Sequence, residues 1–375
     1  MTSPSVIVAL SGGVDSAVTA LLLRDAGHDV QCLHMTNWED DDGYCAAAAD
    51  YQDARRVCSD LDLPLHRVNF TREYRERVFA DFLREHAAGR TPNPDVLCNR
   101  EIKFGVLQSY AKRLGARLLA TGHYARLVAD GDTAHLLKAR DRSKDQSYFL
   151  HRVGGRDLVD VLFPLGELRK HEVRALARAA GLSVSDKRDS TGICFIGERP
   201  FADFLGRFIA ECPGPIRTAE GETIGVHRGL AFYTLGQRQG LGIGGRSESE
   251  QAPWYVAEKQ AESNVLVVVQ GPDHPRLFQN WLRGSRVHWI GAPPQWRADG
   301  AFRCAAKTRY RQPDQACLVT DRGGGEIEVV FDAPQRSITP GQHVVLYDGD
   351  RCLGGAVIEE AAMLGARSPS VVQAG

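Results

Sequence analysis

The chain has 375 residues, roughly two to three common domain lengths, with 43% hydrophobic and 25% charged residues. Lys and Arg number 46 against 47 Asp and Glu, a formal net charge of -1. A single small domain, a low-complexity polymer and a globally polybasic nucleic-acid binder are thereby excluded, while local basic patches on a neutral body stay open.

The first third alternates strand and helix patterns. Val6–Leu10 is an apolar run suited to a strand buried on both faces. Asp15–Arg24 reads as a helix, Asp29–Thr36 as a strand, and Asp50–Leu61 and Glu73–Ala88 as helices around a strand at Leu65–Phe70. Ile102–Leu114 continues as helix, Arg117–Thr121 as strand and Glu167–Ala180 as helix. Strands separated by helices of about ten residues or more predict a parallel sheet with right-handed crossovers. After Pro213 helical periodicity disappears. Short β-rich runs follow at Thr223–Val226, Ala231–Thr234, Trp254–Glu258 and Asn264–Val269, then at Arg286–Ile290, Ala301–Thr308, Gln315–Thr320, Glu326–Phe331, His343–Tyr347 and Gly354–Glu359. That spacing predicts small barrels or sandwiches. The expected fold is α/β over 1–210, a small central β domain over 211–275, a β-barrel over 276–360 and a frayed tail over 361–375.

The amino terminus lacks a basic segment, and no apolar stretch is long enough for a membrane span, so the expectation is a cytoplasmic protein. The cysteines at 32, 45, 58, 98, 194, 212, 304, 317 and 352 form no CxxC, and the histidines form no HExxH, so no protein metal cluster is expected.

Ser11-Gly12-Gly13-Val14-Asp15-Ser16 lies between a strand and a helix. Such a turn aims backbone N–H groups and a helix N-terminus at an anion, and the two serines add donors. A Walker loop would need a lysine, and GxGxxG is absent. The loop resembles that of PP-loop ATP pyrophosphatases, which cleave ATP between the α and β phosphates and transfer AMP to an oxygen. The resemblance implies ATP with Mg²⁺, and Asp15 as a candidate for the metal or for placing the phosphates. Thr91–Asn99, with Pro92 and Pro94, reads as an extended loop that carries Cys98 next to Asp95 and Asn99. Cys194 follows a glycine turn in Ser190–Ile196.

SGGVDS, NPDVLCN, KFG at 103–105, ATGHYAR at 120–126, KDQSYFL at 144–150, STGICFIGE at 190–198, YTLGQRQGLGIGG at 233–245 and KTRYRQ at 307–312 occur in one order. On these motifs the chain resembles bacterial tRNA-specific 2-thiouridylases of the MnmA type, from about Val6 to about Glu360. The resemblance implies that the C2 oxygen of the tRNA wobble uridine is adenylated from ATP and replaced by sulfur. It makes Cys194 the persulfide carrier and Cys98 the catalytic thiol, with a transient Cys98–Cys194 disulfide and Asp95 as a candidate for handling the proton. It carries Ala9, Leu10, Ser11, Gly12, Gly13, Val14, Asp15, Ser16, Met35 and Gly122 over as ATP contacts. Asn93, Pro94 and Asp95 would meet the flipped base. His123, Lys144, Asp145, Gln146, Arg309, Tyr310 and Gln342 would contact the anticodon stem-loop. A persulfide-donating relay protein or cysteine desulfurase is the implied partner.

Two basic clusters suit phosphate contact: Lys138, Arg140, Arg142, Lys144 and Arg152, and then Arg303, Lys307, Arg309 and Arg311 with Tyr310 as an exposed stacking aromatic. Trp281, Trp289 and Trp296 read as barrel core. Two rivals remain: another PP-loop synthetase, which needs no cysteine pair, and a non-catalytic RNA-binding module on the β domains.

Overall fold

The structure is a computed structural model and describes residues 4–39, 47–188, 200–243, 252–296, 298 and 300–365. The first half holds β1 (Ser5–Ala9), β2 (Asp29–Thr36), β3 (Leu65–Asn69), β4 (Leu118–Ala120), β5 (Ala125–Asp130), β6 (Thr133–Lys138) and β7 (Val161–Leu162). Five of them form a parallel sheet in the order β3-β2-β1-β4-β7. The strand pleat sends alternate residues to opposite faces. Ile7, Leu33 and Leu119 enter one apolar cluster, and Val6, Val8, Cys32 and Ala120 the other. Both faces are covered by helices, so the strands read as continuous apolar runs. The helix Val14–Asp25 packs on the second face, where Val18 and Leu21 share a cluster with Val173 and Ala177 of the helix Lys170–Ala179.

Thr91–Asn99 departs from expectation. Pro94 opens a helix at Pro94–Leu97, which continues in π-helical form over Cys98–Leu107 and as α-helix over Gln108–Arg113. Asn93 is extended (φ -118°, ψ 93°), and a proline at the first helical position lacks only an N–H that has no intrahelical partner there. Proline breaks helix interiors, not helix starts.

The hairpin β5–β6 was not legible as strands, yet it leaves the parallel sheet and joins the carboxy-terminal barrel: Leu137 and Cys352 lie in the β6–β17 ladder, opposite Arg351 and Leu136 respectively. Gly131-Asp132 between alternating segments is the turn signal that would have found it. A four-stranded sheet follows, β10-β11-β8-β9, from β8 (Gly214–Thr218), β9 (Thr223–His227), β10 (Trp254–Gln260) and β11 (Val265–Gln270). Ala231–Thr234, expected as strand, instead includes a short 3-10 turn at Leu230–Phe232. The barrel comprises β12 (Phe278–Trp289), β13 (Ala301–Lys307), β14 (Gln315–Gly323), β15 (Glu326–Arg336), β16 (His343–Asp348) and β17 (Arg351–Ala362). Antiparallel pairing of β12 with both β15 and β17 closes it. β12 starts eight residues before the strand expected at Arg286–Ile290, because Gln279, Asn280 and Arg283 interrupt its apolar pattern. β17 runs to Ala362, into the stretch expected to fray, while residues 366–375 lie outside the described set. Trp281 is buried, and Trp289 and Trp296 pack against Phe302 of the barrel cluster. Among the described residues no helix is long and apolar enough to cross a membrane.

Buried neutral histidines give the fold an acid limit. His86 donates from Nδ1 to the Ala231 carbonyl (3.1 Å), and burial lowers its pKa to about 4. His151 donates to the Tyr148 carbonyl (2.7 Å), and burial lowers its pKa to about 3. A pKa depressed on folding means that the unfolded chain takes up the proton first. Stability is therefore full above about pH 6.5 and falls as pH drops through that value, by up to roughly 1.4 kcal/mol per pH unit for each histidine. Urea unfolding between pH 7 and 4.5 checks this, and His86→Gln flattens the slope by about one proton.

Candidate active site at the sheet switch point

β2 lies on one side of β1 and β4 on the other, so the loops after β1 and β4 face each other across a switch point, where open α/β sheets bind ligands. After Ala9 and Leu10 the chain turns through Ser11–Gly13 into the helix that starts at Val14. Ser16 Oγ accepts from Ser11 N (3.2 Å) and donates to the Gly13 carbonyl (3.0 Å), closing the loop on itself. Gly12 has φ +83°, and a Cβ there would lie 2.3 Å from the Asp50 carbonyl oxygen. A Cβ on Gly122, just past β4, would lie 2.9 Å from both Asp15 C and Ser16 N. The loop is thus held bare on both flanks, with the first helical amides unpaired within the helix. Met35 packs half-buried at the end of β2.

Two lysines that the sequence reading did not single out reach this loop. Lys170 Nζ lies 2.8 Å from both Asp15 carboxylate oxygens, and the Tyr124 hydroxyl donates to Asp15 Oδ1 (2.8 Å). Lys187 Nζ donates to the Gly12 carbonyl (3.1 Å) and pairs with Asp50 and Asp53; these acids raise its pKa against the effect of burial. Lys170 opens a helix, where a cation opposes the macrodipole, and that anomaly was its one local signal.

The Pro94 helix carries the second half of the site. Cys98 is only 4% exposed, inside the main apolar cluster, and is not a thiol on an open loop. Asn99 Nδ2 donates to the Phe149 carbonyl (3.1 Å), while its buried Oδ1 has no hydrogen-bond partner among the described residues. Burial raises the Asp95 pKa, and Lys103 partly opposes this. Lys103 Nζ lies 3.4 Å from His123 Nε2, and His123 Nδ1 lies 2.7 Å from Thr121 Oγ1. Burial and Lys103 hold His123 far below its usual pKa, so the ring is neutral; Nε2 faces the ammonium and Nδ1–H donates to the threonine. Cys194 lies outside the described residues.

The expected RNA residues divide. Gln342 Nε2 donates to the Thr91 (2.8 Å) and Pro92 (3.2 Å) carbonyls, so the barrel holds the segment leading into Asn93-Pro94-Asp95. Asp145 is buried and accepts from Ala139 N, Ser147 N and Ser147 Oγ; a turn consumes its carboxylate. Gln146 Oε1 accepts from Tyr124 N (3.0 Å), and the Lys144 carbonyl accepts from the Tyr310 hydroxyl (3.3 Å). The Tyr310 ring is not an exposed platform: it lies 4.4 Å from the Phe149 ring, half-buried. Arg309 Nη2 donates to the Leu235 and Ser337 carbonyls and to Thr339 Oγ1, tying the central sheet to the barrel. Lys138 is buried on Asp314, Arg142 pairs with Asp350, and Arg303 with Asp332. Of these three cations only Lys138 is buried; Arg142 and Arg303 lie in exposed pairs, and charge patterning along the sequence cannot tell a cation neutralised within the chain from one free to meet RNA.

Residues 4–198 match the model of the tRNA methyl transferase HUP domain, 202–270 that of the tRNA methyl transferase PRC-barrel domain, and 279–358 that of the aminomethyltransferase beta-barrel domain. Fold and site together define a HUP-type nucleotide-loop domain followed by a PRC-barrel and a closed antiparallel barrel. The chain is 55% identical to the tRNA-specific 2-thiouridylase MnmA of Hahella chejuensis (94% of this chain, 97% of that relative) and 56% identical to that of Methylococcus capsulatus (95% and 96%). It is 52% identical to that of Burkholderia pseudomallei over the full length of both. The chain belongs to the family of tRNA-specific 2-thiouridylases.

Proposed function

We propose that this chain replaces the C2 oxygen of the wobble uridine of tRNA with sulfur, using ATP. The observation that carries the reading, beside family membership, is one dipeptide: Gly122 abuts the nucleotide loop at Asp15 and Ser16, and the next residue, His123, faces Lys103 on the helix of Cys98. On this reading activation and sulfur transfer would share one wall.

ATP supplies AMP as the leaving group for C2. The bare Gly12 cradle, the Ser11 and Ser16 hydroxyls and the amides at the start of the first helix suit its phosphates, with Lys170 and Lys187 to offset their charge. Met35 would lie by the adenine. Mg²⁺ would enter with the triphosphate, and Asp15 is the carboxylate at hand. Asn93 and Pro94 would line the seat of the extruded base, and Asp95, its pKa raised by burial, would take or give the proton. In the sulfur step the Cys98 thiolate attacks the inner sulfur of a Cys194 persulfide. The S–S bond of the persulfide breaks, hydrosulfide leaves toward C2, and a Cys98–Cys194 disulfide remains for reduction by an external thiol. A relay protein or cysteine desulfurase would load Cys194, in the cytoplasm. Residues 1–210 would carry catalysis, 211–275 a small connecting domain and 276–360 RNA contacts. Incubation with tRNA, ATP and a persulfide donor, followed by nucleoside mass spectrometry, should yield 2-thiouridine derivatives; their absence refutes the reading.

The barrel contacts have their own test. Arg311 is exposed with no hydrogen bond or ion pair among the described residues. Arg311→Ala should lower tRNA affinity and flatten the log–log salt dependence by about 0.7–0.9, the share of one phosphate contact. Arg309→Ala should instead lower stability, by about 1 kcal/mol, because its guanidinium, though part exposed, bonds two carbonyls and a hydroxyl from distant parts of the chain. An unchanged salt slope in Arg311→Ala removes it from the RNA surface.

A further inference from the structure

Arg152 follows the short helix Ser147–Leu150 at the seam between the catalytic domain and the barrel. It is half-buried, and its Nε is enclosed without a hydrogen-bond partner among the described residues. Among the described residues its guanidinium has no ion pair. Its neighbours make this stranger: burial, Arg100 and Arg286 press its pKa down to about 10, and the opposing acid, Glu101, pairs with Arg100 at 3.5 Å. Arg286 stands in a register shift of β12 at φ +54° and pairs with Glu85 at 3.3 Å. Arg100 and Arg286 keep 43% and 42% of their side chains exposed, so the cluster opens to solvent. Near it His151 and His288 leave Nε2, and His343 leaves Nδ1, enclosed without hydrogen-bond partners among the described residues. Arg100 also lines a cavity of about 350 Å³ with Lys112 and Arg156 and with the acids Glu101 and Asp157; Lys112 pairs with Asp160 at 2.8 Å, and Arg156 has no ion pair among the described residues.

A partly desolvated guanidinium beside two others is costly unless an anion meets it. Arg156 and Arg100 line the same cavity, and Arg100 and the barrel's Arg286 lie near enough to Arg152 for their charges to lower its pKa. Arg100, within this group, is two residues from Cys98 in the chain. A single small anion would need one of these groups; a phosphodiester chain uses all of them.

We infer that this seam seats backbone phosphates of the RNA substrate, with Arg152 as its central contact. The inference rests on the tRNA reading above, which nucleoside analysis of the unaltered chain tests separately. Full-length wild type, Arg152→Gln and Arg152→Lys are compared by tRNA binding across a salt series, by melting without RNA, and by titration with inorganic phosphate alone. Arg152→Gln should bind tRNA about 5- to 10-fold more weakly, with the salt slope reduced by about 0.7–0.9. Its melting temperature should hold or rise, since no internal partner is lost, and Arg152→Lys should keep the slope. A lower melting temperature with an unchanged slope makes Arg152 structural and overturns the seat. Inorganic phosphate stabilising wild type but not Arg152→Gln, with the tRNA slope unchanged, makes it a site for the free anion and also overturns it. Arg156→Gln, at the exposed end of the cavity, should lower the same slope even if Arg152→Gln fails to fold; an unchanged slope there overturns the seat as well.

Discussion

Asp15→Ala should abolish both nucleoside thiolation and the conversion of ATP to AMP and pyrophosphate, by about 100-fold or more, while the chain still folds. The carboxylate stands at the start of the first helix and organises two donors, Lys170 and the Tyr124 hydroxyl, each at 2.8 Å. Removing it takes away the carboxylate that holds the Lys170 ammonium beside the phosphate cradle, so the charge that should be placed on the phosphates is no longer positioned. The structural cost is modest, about 1–3 kcal/mol for the lost hydrogen bonds, because Asp15 is a third exposed and water can replace part of what is removed. Asp15→Asn separates the two effects. It keeps the shape and an acceptor for Tyr124 but no charge, so it should melt close to wild type and remain as inactive as the alanine variant. Pyrophosphate release, nucleoside mass spectrometry and thermal melting on the same preparations decide this. An asparagine variant that turns over normally ends the assigned role.

Cys98→Ser and Cys194→Ser should each stop sulfur transfer while ATP binding stays largely intact. Cys98 lies in the apolar cluster, so serine there also buries a hydroxyl, at a cost of about 1–3 kcal/mol. Melting must therefore accompany the activity assay. The remaining cysteines provide the contrast. Cys304 and Cys317 face each other across β13 and β14, their sulfurs 3.8 Å apart, and Cys352 is fully buried in the barrel. Alanine at these positions should cost stability through lost packing but leave thiolation per folded molecule unchanged. A PP-loop synthetase of another kind would keep most of its activity without Cys98, so this variant also separates the two enzyme readings. Added free sulfide is the control for Cys194→Ser, since it enters after the persulfide step. Full thiolation by Cys194→Ser from a persulfide donor, with no sulfide added, defeats the relay.

Much of this molecule was legible locally. The apolar run Val6–Leu10, suited to a strand buried on both faces, falls on β1, with Val6, Ile7 and Val8 buried, and Asp29–Thr36 forms the strand expected there. The six residues from Ser11 to Ser16 specify their own bend, because Gly12 needs a positive φ and the two serines bond within the loop. Such features rest on contacts a few residues apart, which periodicity and turn chemistry record. What tertiary structure alone decided rests on contacts across the chain. Lys170 meets Asp15 over 155 positions and Gln342 meets Thr91 over 251. The β5–β6 hairpin leaves its own domain for the barrel, and Asp145 and Tyr310 turn inward where their polarity suggested solvent. A charged or aromatic residue carries the same letter whether its partner is water, RNA or a carbonyl folded back from far along the chain. Burial chooses among them, and burial is a property of the assembled core, which local pattern does not encode.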